Sequence, residues 1–186
     1  YARSVRADSS AAALPSLAAL VLQRSPREAV PLYRRLASRD SLNPAHLGAL
    51  GRALAGADSA AAALPVLRRA FALYSRDEAT ALALARALEG DSTLTAHLEA
   101  ALAALPRSTE LWRLRGADAM RRGATPLAVE AYRTVLTVAD TTAARLRDYG
   151  VALFYMSETA EALRVLEQSL ARDSTDATAL RVAGFA

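Results

Sequence analysis

The stretch LWRLRGADAMRRGATPLAVEAY, from Leu111 to Tyr132, carries the clearest structural pattern in the sequence. A large residue, Trp112, is followed one helical turn later by a small one, Gly116, and the stretch closes on Ala128 and Tyr132 with the same spacing. Residues four apart share one face of a helix, so the pattern predicts two helices joined by a short turn. Gly116 is expected to be small because a second helix crosses it at close range.

The same pattern recurs with a period of 34 residues. Three columns of first-helix residues keep this spacing, namely Trp112, Leu146 and Leu180; Gly116, Gly150 and Gly184; and Arg113, Arg147 and Arg181. Upstream, the opening pattern is repeated by Leu47, Leu50, Gly51 and Leu54. A fixed period of this length is typical of arrays in which each helix pair stacks on the next.

Large and small residues of these columns are expected to interlock between neighbouring helices. The residues predicted to form this packing are Leu50, Gly51, Trp112, Gly116, Tyr132, Tyr149, Gly150, Leu166 and Gly184. The composition agrees, because 53% hydrophobic with only 5% aromatic residues favours close-packed helices over sheets. Since each pair shares its core with its neighbours, no single repeat is expected to be stable alone.

These residues resemble the tetratricopeptide repeat, whose signature is a large residue followed by a small one and then an alanine followed by an aromatic residue. The resemblance covers nearly the whole chain, although the closing proline of the family survives only as Pro106. It implies an all-α fold, a right-handed α-α superhelical solenoid of antiparallel helix pairs, in one array over residues 1–186. Full repeats are expected at residues 10–43, 44–77, 78–108, 109–142 and 143–176.

Capping residues mark several of the expected helix starts. Ser25-Pro26-Arg27-Glu28 and Ser75-Arg76-Asp77-Glu78 each place a serine three residues before a glutamate, the pattern of a capping box. Proline early in a helix marks Asn43-Pro44 and Thr125-Pro126 in the same way. Helices are therefore predicted to start at these four positions.

Neither end is expected to close the array. Residues 177–186 have the pattern of the opening half of a first helix, and residues 1–9 have that of the closing half of a second helix. The faces left open are expected to carry the following residues: Tyr1, Val5, Leu180, Ala183 and Phe185. Either the chain is a segment of a longer scaffold, or copies stack head to tail into a fibre or a ring. Trimming of the sequence within a repeat would leave the same ends.

The amino-acid composition helps to decide whether the partner is nucleic acid, a membrane or protein. The formal net charge is +4 and every basic residue is arginine, but the arginines are not clustered or interleaved with aromatic residues, so nucleic acid is not the predicted partner. Without cysteine there is no disulfide framework or thiolate metal site, and the compartment is not fixed. The longest apolar stretch, Ala11–Leu22, is too short for a membrane span. The predicted partner is protein.

No catalytic, cofactor-binding or metal-binding constellation is found in the sequence. His46 and His97 are the only histidines, lie on different predicted helices and lack metal-site spacing. Gly48 and Gly51 lie inside a helical pattern without the lysine of a phosphate-binding loop. The sequence therefore predicts a protein that is not an enzyme and needs no cofactor.

The most specific candidate site in the sequence is a row of five arginines on successive first helices, which we call the arginine ladder. Arg113, Arg147 and Arg181 share one position on first helices, and Arg52 and Arg86 lie one turn along on earlier ones. In the family that the sequence resembles, first helices line the concave surface. A row of guanidinium groups there would grip an acidic peptide or a C-terminal carboxylate through bidentate hydrogen bonds.

We prefer a second interpretation of the ladder, in which the arginines pair within the stack. The carboxylates expected to pair with them are Glu78, Glu110, Asp118 and Asp148. Chaperone-binding members of the family hold a carboxylate with lysines and asparagines. Because lysine is absent and Asn43 is a helix cap, that activity is not expected here.

Turns that carry aspartate followed by serine or threonine form a second pattern. Most resemble the acceptor sites of some bacterial extracytoplasmic O-glycosylation systems, which would attach glycans to the turns and place the protein outside the cytoplasm. The candidate acceptors are Ser9, Ser41, Ser59, Ser92, Thr141 and Ser174. The alternative is that these residues gather at turns because they cap helices.

The sequence thus predicts a non-catalytic scaffold that binds protein, either by assembling head to tail or by continuing into a longer array, with a glycosylated extracellular fibre as one form. The alternative is an adaptor that holds an extended or acidic peptide in a concave groove.

Overall fold

The computed structural model describes the backbone of residues 2–186 and the side chains of residues 13–186. Within these residues the chain forms eleven α-helices and no strand. The helices are α1 (Ala2–Arg24), α2 (Pro26–Arg39), α3 (Pro44–Gly56), α4 (Ala60–Leu73), α5 (Glu78–Ala87), α6 (Leu94–Ala104), α7 (Thr109–Arg121), α8 (Thr125–Val138), α9 (Ala143–Tyr155), α10 (Thr159–Leu170) and α11 (Ala177–Ala183). The predicted all-α class is confirmed.

Several helices begin where a side chain satisfies the free amide groups of the first turn. Asn43 accepts hydrogen bonds from the backbone N–H groups of Ala45 (3.1 Å) and His46 (3.2 Å) at the start of α3. Asp176 caps α11 in the same way. A cap of this kind stabilises a helix by about 1 kcal/mol, so these residues fix where the helices start.

The turns that follow four of the helices each contain one residue with positive φ. These residues are Asp58 (58°) after α3, Gly90 (86°) after α5, Gly123 (74°) after α7 and Ser157 (64°) after α9. Glycine adopts this left-handed conformation freely, whereas a residue with a Cβ pays roughly 1–2 kcal/mol. The same turn conformation is therefore kept at two positions where the residue does not favour it.

The structure differs from the sequence prediction at two places where a helix was expected to start. Helix α5 begins at Glu78 and has Asp77, rather than Ser75, at its N-cap. The Asp77 side chain makes no capping hydrogen bond, and its carboxylate instead contacts Arg52 and accepts the hydroxyl of Thr80. Helix α1 runs unbroken through residues 9 and 10, where a repeat boundary was expected, because the alanine-rich sequence there favours helix.

One compact unit comprises Tyr1–His97. In it, α3 packs against α2, α4 and α5. Leu67 of α4 is fully buried, and a Cβ added at Gly51 of α3 would lie 2.5 Å from its Cγ. The two helices therefore cross as closely as the missing side chain of Gly51 allows, and Leu50 beside it is also buried.

The second compact unit comprises Leu98–Ala186. Here α8 packs against α7 and α9, and α10 packs against α9 and α11. A Cβ at Gly116 would lie 2.6 Å from Cε1 of Tyr132, and a Cβ at Gly150 would lie 2.8 Å from Cγ of Leu166. Each glycine thus makes room for one large side chain of the following helix.

Tyr149 ties three helices of this unit together. It lies in the same buried cluster as Tyr132. Its hydroxyl donates to Glu161 Oε1 of α10 (3.1 Å) and accepts from Arg133 Nε of α8 (3.3 Å). Burial, with a smaller contribution from Asp148, raises the pKa of Tyr132 to about 12. Both tyrosines therefore act as core residues with a polar end.

Two of the residues expected in the repeat packing are not fully buried. Trp112 is partly exposed, and Leu111 is fully buried beside it. The indole N–H of Trp112 donates to the carbonyl of Pro106 (2.8 Å), and the Arg115 guanidinium lies 5.3 Å from its ring centroid. Gly184 is exposed, and a Cβ there would meet only carbonyl oxygens of its own turn, at 3.4 Å or more.

Candidate functional site

The arginine ladder is held differently at each position. Arg52 of α3 lies across the space between α3 and α5, where its Nη1 is 3.4 Å from Asp77 Oδ2 and 3.3 Å from Thr80 Oγ1. The Thr80 hydroxyl donates to the same carboxylate oxygen at 2.5 Å. Because about a third of the Arg52 and Asp77 side chains is exposed, the bridge remains open to solvent from one side.

Gly48 makes this bridge sterically feasible. A Cβ at position 48 would collide with the Thr80 hydroxyl and would lie 3.3 Å from Asp77 Oδ2. Position 48 corresponds in its helix to Arg113 and Arg147 in theirs. The arginine of this repeat is therefore one turn further along, at position 52, and the glycine leaves the space that the bridge occupies.

Arg86 and Arg181 are exposed. Among the described residues, neither has a hydrogen-bonding or ion-pair partner. Their guanidinium groups are therefore available to an outside acceptor, unlike that of Arg52.

Two ladder arginines of the second unit, Arg113 and Arg147, are paired. Arg113 Nε donates to Glu110 Oε2 (3.1 Å), and Arg147 pairs with Asp148 Oδ1 (2.8 Å) and Asp176 Oδ2 (3.0 Å). Burial raises the pKa of Asp176, but the hydrogen bonds from the Ala179 amide and from Arg147 outweigh it and leave the pKa below its ordinary value. Pairing within the stack thus occurs at Arg113 and Arg147.

Asp118, another carboxylate expected to pair with the ladder, is used elsewhere. It is buried and forms ion pairs with Arg121 and Arg122 on its own helix, the latter at 3.0 Å. Since these two arginines follow Asp118 by three and four residues, they are its natural helix neighbours. These two ion pairs of Asp118 are therefore local and do not involve a ladder arginine.

Two neighbouring cavities lie in succession between α3 and α5, and Arg52 lines both. The first, of about 570 Å³, is lined by Pro44, Ala45, Arg52, Ala70, Tyr74, Arg76, Asp77 and Thr80. The second, of about 600 Å³, is lined by Arg52, Ala55, Gly56, Ala60, Ala79, Leu82, Ala83, Arg86 and Ala87. We call them together the α3/α5 groove. Each has the size of a small-ligand site.

The expected assembly faces are partly described. Leu180 is 51% and Phe185 is 75% exposed, and Ala183 is partly buried. Tyr1 and the side chain of Val5 lie outside the described residues. Tyr155, which the sequence did not single out, is also largely exposed in the same unit.

The aspartates of the expected glycosylation turns have a structural role. Asp91 Oδ1 accepts from the backbone N–H and the hydroxyl of Thr93, both at 2.7 Å, and Asp173 Oδ1 accepts in the same way from Thr175. The hydroxyl hydrogen bond from Thr93 is the main reason why the pKa of Asp91 is lowered. These are turns closed by an aspartate side chain.

Of the candidate acceptors themselves, those that are exposed in turns are Ser41, Ser92, Thr141 and Ser174. Ser59 is partly buried at the N-cap of α4. The backbone at position 9 is helical, not a turn, and the side chain of Ser9 lies outside the described residues.

Neither histidine is placed to bind a metal. His97 is buried, its Nε2 lies 2.9 Å from the carbonyl of Ala81, and its ring meets the edge of Phe71. His46 has a buried Nδ1 without a hydrogen-bond partner. Within the described residues, no three histidine or carboxylate side chains come together as a metal site. No described helix has the length and apolarity needed to cross a bilayer.

No known family profile and no curated protein matches the sequence. Solved structures with a similar fold do exist. MamA of Desulfovibrio magneticus RS-1 is 17% identical, with 88% of this chain and 95% of that one covered at a TM-score of 0.75. YrrB, described as a TPR protein with an unusual peptide-binding site, is also 17% identical, with 91% and 89% covered at a TM-score of 0.76.

A thermophilic TPR protein of Thermus thermophilus is 19% identical, with 91% of this chain and 95% of that one covered at a TM-score of 0.61. At such identities the likeness establishes the fold and nothing further. The chain has the fold of the tetratricopeptide-repeat proteins, an all-α solenoid of antiparallel helix pairs, as the 34-residue period predicts.

Proposed function

We propose that the chain is a non-catalytic scaffold that works by binding protein, and that its open helix faces join it to another copy of itself or to further repeats. The observation that carries the proposal is the end of the second unit. Helix α11 packs on α9 and α10, and Ala179 and Val182 are buried there. Leu180 and Phe185 remain more than half exposed. A contiguous patch of exposed apolar side chains is typical of an interaction surface, and Leu180 and Phe185 are the residues that we assign to such a patch.

Helix α1 of the first unit supports the same proposal. Leu14 and Ala18 are buried against the unit, whereas Leu17 and Leu20 on the other side of the helix are half exposed. An apolar face is thus open on each unit. A contact between two different faces of the same chain is heterologous, so it propagates from copy to copy.

Sedimentation velocity over a range of concentrations tests the assembly. We expect the average mass to rise with concentration, and we expect the double variant Leu180→Asp, Phe185→Asp to stay monomeric because each aspartate would bury a charge in the contact. Leu127→Asp, at an exposed leucine of α8, is the matched control and should assemble normally. A wild-type chain that is monomeric throughout contradicts assembly between copies.

A glycosylated extracellular fibre is the most specific form of this proposal. Its support is that four of the acceptor candidates are exposed in turns, where a modifying enzyme would reach them. Intact mass spectrometry of native material provides the test. A mass equal to that of the bare polypeptide would rule out the glycans and, with them, the argument for an extracytoplasmic location.

The second candidate function is an adaptor that holds a peptide, and the α3/α5 groove favours it. The groove is open along α3 and α5 and carries arginine among small apolar residues. A similar fold, that of YrrB, is described as having a peptide-binding site. Binding of a peptide to the groove is independent of assembly through α11, so the two functions are separable by experiment.

A further inference from the structure

The second helices of the first unit repeat one exposed pattern that the proposed function does not use. Helix α2 contains VPLYRRLA at residues 30–37, and α4 contains LPVLRRAF at residues 64–71, so a proline and an arginine pair recur 34 residues apart. Arg34 with Arg35 and Arg68 with Arg69 are all exposed. The period that builds the solenoid thus also places four cations at matching positions of two successive second helices.

Helices α2 and α4 present these positions on the same side of the unit. Both helices pack against α3. Their starts lie together, because Arg27 at the beginning of α2 pairs with Asp58, in the turn before α4, at 3.1 Å. Helices that begin side by side in a repeat array run in the same direction. The two arginine pairs therefore lie beside each other, about two helical turns further along.

Three of these four arginines are unpartnered. Arg34, Arg35 and Arg69 have neither a hydrogen bond nor an ion pair among the described residues. Arg68 donates only to the hydroxyl of Thr93, at 3.3 Å. The guanidinium groups are therefore free to bind anions from outside the chain.

The charge of the chain is concentrated in this unit. Residues 98–186 contain eleven arginines and eleven carboxylates, so the formal net charge of +4 belongs to the first unit. Between Pro26 and Leu73 the carboxylates are Glu28, Asp40 and Asp58, and they lie at the ends of α2 or in the turn before α4. The middle of the exposed side of both helices therefore carries positive charge alone.

The rest of the exposed surface of α4 is apolar. Leu73 is 43% exposed and follows Arg69 by four residues, so the two side chains lie on one face of the helix. The solvent side of a surface helix normally carries charged and polar residues instead. Apart from Arg68 and Arg69, the exposed residues of α4 are Ala60, Ala61, Ala62, Pro65, Ala72 and Leu73.

This combination favours a lipid surface over other anionic partners. Protein partners are usually held by aromatic and other large anchors, and among the exposed residues of α2 and α4 only Leu73 is large and apolar. Single-stranded nucleic acid is held by aromatic stacking, and no aromatic residue of these two helices is exposed. An anionic membrane requires only clustered basic residues and shallow apolar contact.

We propose that the side of α2 and α4 that carries Arg34, Arg35, Arg68, Arg69 and Leu73, the α2/α4 outer face, binds the surface of a membrane that contains anionic lipid. The arginines contact lipid phosphates, and Leu73 enters the headgroup layer. This inference goes beyond the proposed function, because it needs neither the α3/α5 groove nor the open end at α11.

Cosedimentation of the full chain with lipid vesicles tests the proposal. One set of vesicles contains phosphatidylcholine alone, and the other contains phosphatidylcholine and phosphatidylglycerol in a ratio of about two to one. We expect the chain to bind the second set only, and added salt should weaken the binding. Equal binding to both sets, or binding to neither, overturns the proposal.

Replacing arginines by glutamine locates the binding surface. Arg34→Gln combined with Arg35→Gln should weaken binding to the anionic vesicles at least about tenfold, because one basic residue at such a surface contributes about fivefold in affinity. Arg107→Gln combined with Arg172→Gln removes the same charge from exposed positions of the second unit and is the matched control. If the control loses as much binding, overall charge rather than the α2/α4 outer face holds the lipid, and the proposal fails.

Leu73→Ser tests the apolar part of the contact. It should weaken binding to the anionic vesicles about threefold, since less apolar surface is removed from water. Leu127→Ser is the matched control, because Leu127 is equally exposed on α8. Unchanged binding of Leu73→Ser contradicts the proposal, as does tight binding of a single-stranded oligonucleotide by a chain that ignores the anionic vesicles. Either result leaves assembly through α11 untouched.

Discussion

Gly116 lies against the ring of Tyr132, so close that a Cβ at position 116 would fall 2.6 Å from Cε1. Tyr132 is buried and cannot move away without disturbing the cluster that it shares with Tyr149 and Leu153. Helices α7 and α8 can therefore approach this closely only because Gly116 has no Cβ. The same arrangement recurs at Gly150 and Leu166.

Replacing Gly116 by alanine should lower the free energy of unfolding by about 1–3 kcal/mol, the usual cost of overpacking. This loss should appear although alanine favours helix by about 1 kcal/mol. Gly184→Ala is the control, because its Cβ would meet only ordinary contacts, and it should be neutral or slightly stabilising. Urea unfolding measures both. If the two variants are equally stable, the helices do not cross as closely as described.

Ser157→Gly should stabilise the protein by about 1 kcal/mol, because Ser157 has a φ of 64° that glycine adopts without strain. The reverse change, Gly123→Ala, should cost a similar amount. At Gly123 no atom lies within 4 Å of the added Cβ, so any loss there reports backbone strain alone. Urea unfolding of both variants provides the measurement, and an unchanged Gly123→Ala would show that the turn relaxes freely.

Acidification should destabilise the fold through His97. Burial is the main reason why the pKa of His97 is lowered, and the hydrogen bond to the Ala81 carbonyl opposes it only in part. The folded protein therefore favours the neutral ring and binds fewer protons than the unfolded chain. Stability should be unaffected above the unfolded pKa of about 6.5 and should fall as the pH drops through that value towards the lower folded pKa.

Urea unfolding at a series of pH values checks the role of His97. His97→Gln retains an N–H donor for Ala81 but does not titrate, so its stability should change less than that of the wild type as the pH falls from neutral. An identical pH profile for the wild type and His97→Gln would contradict the prediction, since carboxylate titration is common to both.

Asp176→Ala should loosen α11, because it removes both the cap of that helix and the ion pair with Arg147. We expect a cost of about 1–2 kcal/mol, and a smaller one for Asp176→Asn, which keeps a capping side chain. Amide hydrogen exchange in α11 is the suitable measurement, since a short outer helix opens locally before the unit unfolds. Equal exchange in both variants would assign the whole effect to the charge.

The close helix crossings follow from the sequence because they repeat. Gly116 and Gly150 are 34 residues apart, and so are their partners Tyr132 and Leu166, which makes the small and large columns visible. Gly48 has no such column, since the corresponding position carries leucine in α5 (Leu82) and arginine in α7, α9 and α11. Its close approach to Thr80 therefore emerges only when the packing of α3 on α5 is known.

The ion pairs were predictable only within a helix. Arg113 and Glu110 are three residues apart, a spacing that helix geometry favours for pairing. Arg147 and Asp148 are adjacent in sequence, a spacing that does not normally place side chains on one helix face. Arg52 with Asp77 and Arg147 with Asp176 are separated by 25 and 29 residues. The available signal was an aspartate at the start of the next helix. Aspartate is common there as a helix cap, so its presence does not by itself indicate an ion pair.

The two long-range bridges limit how modular this array is. Arg52 on α3 depends on the aspartate that opens α5, and Arg147 on α9 depends on the one that opens α11. The arginines stand one turn apart in their helices, and α9 itself opens on Thr142, which offers no charge. Repeats 44–77 and 143–176 each contain both partners of their bridge, whereas repeat 109–142 ends on Thr142 and offers Arg113 no such aspartate. Blocks of equal length therefore differ in whether they bring their own link to the helix that follows.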